Sequence, residues 1–283
     1  MGRPKFAECA LGLGRSLKLV GDSTKRVLLT DIKDPRFQSC FDEVIPCDDP
    51  LPWVFFSKLT FLDRTDADAV LFIDSDSLAF KKLDPIFERC AGTKFAVCGR
   101  RRTSGAWWGK DIAEHCRSLG IEAMPQFNGG FIYYERTPET QAFIQQVRQT
   151  MEQAKEIGFW QGGGIVPDEP CISLLLERTG FGTLLPDTID FQNSATGLIG
   201  KLHMDVRTGA CEFLTRNYEV RMVKPYIFHA SRYMNFLVYW KQLDALERLE
   251  NYQNSHPYGY MSPFQKFQRS FEKRLLKYVY RKL

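Results

Sequence analysis

The stretch AVLFIDSDSLAF, residues 69–80, constrains this chain more than any other. Five consecutive apolar residues, Ala69 to Ile73, leave no polar face, so the segment reads as a strand covered on both sides by helices, as in a parallel α/β sheet. It ends on Asp74 and Asp76, separated by one serine. In an extended strand, residues two apart point to the same face. Two carboxylates so placed at the exit of a buried strand repel each other unless a cation lies between them. Two hard oxygen donors suit a divalent metal that keeps positions open for phosphate oxygens. By itself a DSD tripeptide also reads as a capping or loop pair on any surface.

Segments on either side alternate in type. KFAECALGLGRSLKLVG carries Phe6, Ala10, Leu13, Leu17 and Val20 at helical spacing and stops at Gly21. RVLLTD and FDEVIPCDD read as short strands, VFFSKLTFLDR as a helix, and Asp84-Pro85 as an N-cap with proline at the first helical position. KFAVCG and FNGGFIYY are further strands, PETQAFIQQVRQTMEQAKE is a long helix, and CISLLLER is a helix that closes at Gly180. KLHMDVRTGACEFLTR alternates as a β-hairpin, KPYIFHAS is a late strand, and two helices finish the chain. The expectation is an α/β fold with a mostly parallel sheet flanked by helices, a small β-hairpin and a C-terminal helical extension. We divide the chain into a domain over 1–240 and an extension over 241–283.

Composition excludes more than it assigns. A net charge of +4 is too small for a nucleic-acid partner, and the excess sits at the end: residues 264–283 carry seven Lys/Arg against Glu272. There Phe264, Phe267, Phe271 and Leu275 share one face of a basic amphipathic helix. Such a helix reads equally as a peripheral membrane or partner contact and as one packed on the domain. No apolar run reaches the ~18 residues of a membrane span. Glu8 and Arg15 interrupt the only signal-like segment. As written, the chain is expected in the cytoplasm or at a membrane surface. The eight cysteines have irregular spacing and no CxxC pair, and read as buried thiols rather than a disulfide set.

Three more stretches join the aspartate pair. FNGGF, residues 127–131, enters a strand through two glycines and permits close backbone approach. Asp168 and Glu169 open a helix after the QGGG run, and His229 ends the strand YIFH. An imidazole beside two carboxylates favours Mn²⁺ or a similar ion over Ca²⁺. GRRRTSGAWWGKD, residues 99–111, is a basic aromatic loop. It suits either contact with a ligand, through Trp107 or Trp108, or a solvated loop with a Trp on the core.

Taken in order, SKL at 57–59, DSD at 74–76, FNGG at 127–130, DE at 168–169 and HASRYMNFL from His229 resemble the GT-A nucleotide-sugar glycosyltransferases. The likeness is to the retaining, glycogenin-like and lipopolysaccharide-galactosyltransferase-like group (glycosyltransferase family 8-like), over roughly residues 7–240. It implies a Rossmann-like GT-A fold and a UDP-sugar donor. The acceptor would be a carbohydrate, lipid-linked or protein hydroxyl. Mn²⁺ or another divalent cation would be held by Asp74, Asp76 and His229. By the same resemblance Lys58, Asp74, Asn128, Gly129 and Gly130 contact the donor, and Asp168 meets the sugar hydroxyls.

Three departures from the family pattern carry expectations of their own. Its terminal HxxGxxKPW is not preserved, and Arg232 stands as the substitute phosphate contact. Its DQ has become Asp168-Glu169, so Glu169 reads either as a nucleophile or ion-pair stabiliser or as a helix-start carboxylate. The family's first strand has no counterpart here: either an N-terminal segment is missing, the reading we favour, in which case a Golgi or secretory location is open, or the pocket for the base is built differently. VLFIDSDS also resembles the nucleophile strand of haloacid-dehalogenase-type phosphatases, although position 78 is Leu. A non-catalytic GT-A-like binding or scaffold protein is the other alternative.

Overall fold

The computed structural model describes residues 4–47, 53–159 and 166–253. Residues 254–283, which include the amphipathic tail and His256, and the QGGG run at 161–164 lie outside the described residues. The chain opens with helix α1 (Pro4–Leu19), which buries Ala7, Ala10, Leu11, Leu13 and Leu17 and gives way to Gly21 at a left-handed φ of 69°. Strands β1 (Val27–Thr30) and β2 (Glu43–Pro46) pair in parallel. A 3-10 turn over Trp53–Leu59 and the short helix α2 (Phe61–Arg64) lead into β3 (Ala69–Ile73) and β4 (Ser77–Ala79). Then come α3 (Asp84–Cys90), β5 (Phe95–Arg102), the two-residue strands β6 (Ala106–Trp107) and β7 (Lys110–Asp111), α4 (Ile112–Leu119) and β8 (Met124–Glu135). Helices α5 (Pro138–Glu152) and α6 (Asp168–Thr179) precede β9 (Thr183–Pro186) and β10 (Gln192–Ser194). The hairpin β11 (Leu198–Asp205) and β12 (Ala210–Thr215) gains a third strand, β13 (Arg221–Val223). Strand β14 (Ile227–His229) and helix α7 (Leu237–Gln253) close the described chain.

The α/β class stands, with one correction. The central sheet runs β3-β8-β5-β9, and its longest strand, β8, is antiparallel to both neighbours; only β5 and β9 are parallel. An apolar run carries no information on strand direction, which is why the parallel expectation failed there; nor is β3 fully covered on both faces, since it lies at the edge of this sheet with all five residues half-buried. Helices α5 and α6 cover one face, where Phe143, Val147, Ile172 and Leu175 pack on Phe95, Val97, Ile132 and Tyr134. On the other, Leu13 and Leu17 of α1 and Ile86 of α3 meet Ala96, Phe131 and Tyr133. All eight cysteines are free and buried.

Two local expectations also change. The helix expected over 54–64 breaks at Thr60. The Tyr134 hydroxyl donates to the Lys58 carbonyl at 2.7 Å, which takes that carbonyl out of an α-helical ladder and tightens the turn. Asp84 is the first residue of α3 and not its cap; Leu83 holds that place, its N–H given to the buried Asp22 carboxylate at 2.6 Å.

A second small sheet, β10-β14-β4, adjoins the central one. Its middle strand β14 pairs parallel to β10 and antiparallel to β4. The chain therefore leaves the central sheet at Ile73 and enters the small one at Ser77, and the DSD tripeptide is the joint between them.

Candidate active site

The joint, not a strand pleat, sets the two carboxylates. Residues 74–76 form a turn in which the Ser77 N–H donates to the Asp74 carbonyl at 3.0 Å. Strand pairing then puts His229 directly opposite Ser77, and the Ala230 N–H binds the Asp76 carbonyl at 3.0 Å. His229 Nε2 lies 3.2 Å from Asp76 Oδ1 and 3.6 Å from Asp74 Oδ2. One ligand atom from each of the three residues falls within 4.8 Å of the others.

Asn128 fixes the imidazole. Its Oδ1 accepts the Gly130 N–H at 3.1 Å, so that atom is the oxygen of the carboxamide. The same oxygen accepts from Gln192 Nε2 at 2.8 Å and lies 2.7 Å from His229 Nδ1, which must then carry a proton and donate. Nε2 is left as the nitrogen facing the two aspartates. This is the arrangement by which an outer partner sets the tautomer of a metal-ligating histidine. Burial lowers the imidazole's proton affinity, but the hydrogen bond the protonated ring gives to Asp76 and the charges of both aspartates outweigh it and hold the pKa above its ordinary value. Asp74 is pushed up by burial against the pull of Lys58 and His229.

A wide bulge in β8 makes room for this. Val97 pairs with Ile132 and Gly99 with Phe127, so Asn128 to Phe131 leave the β5 ladder together. The Gly130 carbonyl takes the Asp74 N–H at 3.2 Å. A methyl on Gly130 would sit 2.9 Å from Asn128 Oδ1, 2.9 Å from His229 Nδ1 and 3.0 Å from Asp74 Oδ2. The glycine is needed by the site's own side chains.

Beside the triad lies a second charged group. Lys58 Nζ is 3.6 Å from Asp74 Oδ1 and 3.1 Å from Asp168 Oδ2, and donates to the Gly129 carbonyl at 3.1 Å. Burial opposes its charge, yet Asp168, Asp74 and Glu169 together raise its pKa. Glu169 Oε1 accepts the Gly129 N–H and its Oε2 accepts the Trp108 indole N–H, each at 2.7 Å. Burial, with the Asp168 charge adding to it, pushes the Glu169 carboxyl up to about 7. Both acidic residues sit in the first turn of α6, which packs on β8.

Among the described residues Lys58 is the one ammonium beside Asp74, Asp168 and Glu169, with Asp76 adding a further carboxylate at His229, and this excess of negative charge suits a cation. The donor set fits one. A small divalent ion about 2 Å from each ligand holds adjacent donors about 3 Å apart, close to the two histidine–aspartate separations. A carboxylate–imidazole set suits Mn²⁺ or a related ion.

The structure brings together Lys58, Asp74, Asp76, Asn128, Gly129, Gly130, Asp168, Glu169 and His229. Arg232 lies in the 3-10 turn Ser231–Asn235, its side chain outside what is described. Arg100 and Arg101 of the basic loop are bound to acids of the protein itself, Arg100 to Asp187 at 2.9 Å and Arg101 to Glu177 and Glu122. Trp107 packs edge-on to Phe127 with ring centres 6.2 Å apart. Sequence reasoning missed Gln192, for which no motif speaks, and the Trp108–Glu169 bond, whose one trace was a turn-like WWG.

No family model matches the sequence, and neither does any curated protein. Solved structures do. A crystal structure of an active-site mutant of LgtC aligns over 86% of this chain and 91% of its own, with 13% identity and a TM-score of 0.53. The glycosyltransferase GlyE of Streptococcus pneumoniae aligns over 92% of this chain and 64% of its own, with 17% identity and a TM-score of 0.52. The fold is that of the GT-A glycosyltransferases. In this GT-A fold the Asp-Asp-His cluster lies where the central sheet hands over to the small one, at the exit of β3, the crevice in which α/β sheets receive ligands.

Proposed function

We propose that the chain is a metal-dependent glycosyltransferase that moves a sugar from a nucleotide-sugar donor, a UDP-sugar, to an acceptor hydroxyl with retention at the anomeric carbon. The observation that carries the reading is the convergence of Asp74, Asp76 and His229 within one ion's reach, in a fold shared with glycosyltransferases. In the transfer, the bond from the anomeric carbon to the diphosphate oxygen breaks with its electron pair leaving on the nucleotide. The acceptor oxygen bonds to that carbon and its proton passes to the departing diphosphate oxygen. A divalent cation, Mn²⁺ by the donor set, supplies Lewis-acid charge to the departing diphosphate when bound.

The protein's own groups do the rest. Asp74, Asp76 and His229 hold the ion, and Asn128 keeps His229 Nε2 turned towards it. Lys58 ties the ion site to Asp168, which meets the donor's sugar hydroxyls, and the backbone of Gly129 and Gly130 lets the donor approach. Glu169, held by two N–H donors, faces the cationic character that develops at the anomeric carbon, as nucleophile or as ion-pair partner. Arg232 contributes to diphosphate binding. The acceptor is a carbohydrate, lipid-linked or protein hydroxyl, and residues 264–283 supply a peripheral membrane contact. Among the described residues no helix is long and apolar enough to cross a membrane.

The test is calorimetry with Mn²⁺ and UDP, followed by assays of sugar transfer and UDP release over a panel of UDP-sugars. Asp76→Asn is expected to abolish metal-dependent UDP binding; unchanged affinity would sink the assignment. Hydrolysis of a generic phosphate ester would favour the phosphatase reading instead, and inertness towards every donor a binding scaffold.

A further inference from the structure

The basic aromatic loop contains a backbone oddity that the reading above does not use. Strands β6 and β7 pair Trp107 with Lys110, which leaves Trp108 and Gly109 as a two-residue hairpin turn. Both have positive φ, 51° and 72°. Such a turn favours Asn, Asp or Gly at its first position, and a bulky residue in the left-handed region is an outlier that costs free energy. Strain of this kind persists where surrounding contacts over-determine it, and it collects at functional sites. Two contacts hold the turn here. Trp107 is fixed against Phe127, and the Trp108 indole N–H donates to Glu169 Oε2 at 2.7 Å. The other carboxylate oxygen is taken by the Gly129 N–H at the same distance.

We propose that Trp108 is a positioning residue: the strained β6–β7 turn presents its indole N–H so that the Glu169 carboxylate, clamped between that donor and the Gly129 N–H, is held in one orientation towards the sugar site. This rests on the glycosyl-transfer reading for its consequence in turnover, though not for the contact itself. The groups facing Glu169 are Asp168 beside it, Lys58 from the 3-10 turn, the Gly129 N–H from β8 and, from the segment between β12 and β13, Tyr218. Burial and the Asp168 charge oppose its ionisation, while the Gly129 N–H, Lys58 and the Trp108 indole favour it, and Trp108→Phe removes the last of these alone.

The experiment uses the full chain, as wild type, Trp108→Phe and Glu169→Gln. In ¹⁵N-labelled wild type the Trp108 indole resonance is expected to shift with pH as Glu169 titrates, and in Glu169→Gln that response is expected to vanish. Trp108→Phe keeps an aromatic ring and loses the donor. Its kcat for the UDP-sugar is expected to fall roughly tenfold or more, the scale of a lost hydrogen bond to a charged group. KM and Mn²⁺ affinity should be unchanged, and the acidic limb of the pH–rate profile should move to higher pH. An indole resonance that ignores pH in wild type overturns the proposal, as does a Trp108→Phe enzyme with wild-type kcat and pH profile. If wild type transfers no sugar, the glycosyl-transfer reading fails while the indole titration still decides the contact.

Discussion

Gly130→Ala tests the geometry of the metal site without removing a ligand. Its φ lies outside the left-handed region, so the effect is steric and not conformational. The added methyl would lie 2.9 Å from Asn128 Oδ1, 2.9 Å from His229 Nδ1 and 3.0 Å from Asp74 Oδ2, where ordinary contact begins at 3.4 Å. Each of these atoms would have to retreat by roughly half an ångström, whereas metal–ligand distances tolerate about 0.2 Å. None of them ends a long flexible chain. His229 sits in the middle strand of the small sheet and is held between Asn128 and Asp76. Disturbing the outer partner of a ligating histidine typically weakens metal binding by about ten- to hundredfold, and we expect a loss in that range at an overpacking cost of about 1–3 kcal/mol in stability. The assay is an Mn²⁺ titration by calorimetry, with Gly129→Ala as control. A methyl on Gly129 meets Asp168 Oδ2 at 3.1 Å and Glu169 Cγ at 3.1 Å and leaves the triad alone. Wild-type Mn²⁺ affinity in Gly130→Ala, or an equal loss in Gly129→Ala, would refute this account.

Asn128→Ala strips the acceptor from Gly130, Gln192 and His229. It should cost about 1–3 kcal/mol in denaturant unfolding together with most of the Mn²⁺ affinity; intact metal binding would show that the tautomer is set elsewhere. Lys58→Met leaves Asp168 and Asp74 without their shared cation. A loss of about 3–5 kcal/mol is expected, part of which added Mn²⁺ should restore by neutralising Asp74; thermal melts with and without the ion decide. Glu169→Gln tests linkage. The folded carboxyl is raised from 4.5 to about 7, so between those values the folded chain binds more protons than the unfolded one, and wild-type stability falls as pH climbs through that window. The glutamine variant lacks that loss, and its melting temperature should gain on wild type across the window and then level off. Parallel curves would contradict the buried-carboxylate reading.

Much of the site was legible because its residues are rare types at segment ends. An apolar strand ending in DSD, glycines entering a strand, acids opening a helix and a histidine closing a strand are each local facts, and their order added the rest. What those residues do to one another was not legible. Asn128 reads as a donor contact in sequence, and only the folding of β8, β10 and β14 around it makes its carboxamide the pivot of His229. Arg100 and Arg101 read as part of a basic loop in sequence, and only the fold extends β5 through them and brings Asp187, Glu177 and Glu122 beside them.

The sequence by itself determined where most helices and strands lie, where helices such as α6 stop, and that carboxylates gather at the exit of β3, because hydrophobic periodicity and left-handed glycines such as Gly180 act within a few residues. Tertiary structure alone decided that β8 runs antiparallel, that Asp74 and Asp76 converge through a turn, and that Trp108 reaches Glu169 across 61 positions. Strand direction and side-chain meeting depend on contacts between distant parts of the chain, and no local preference encodes those.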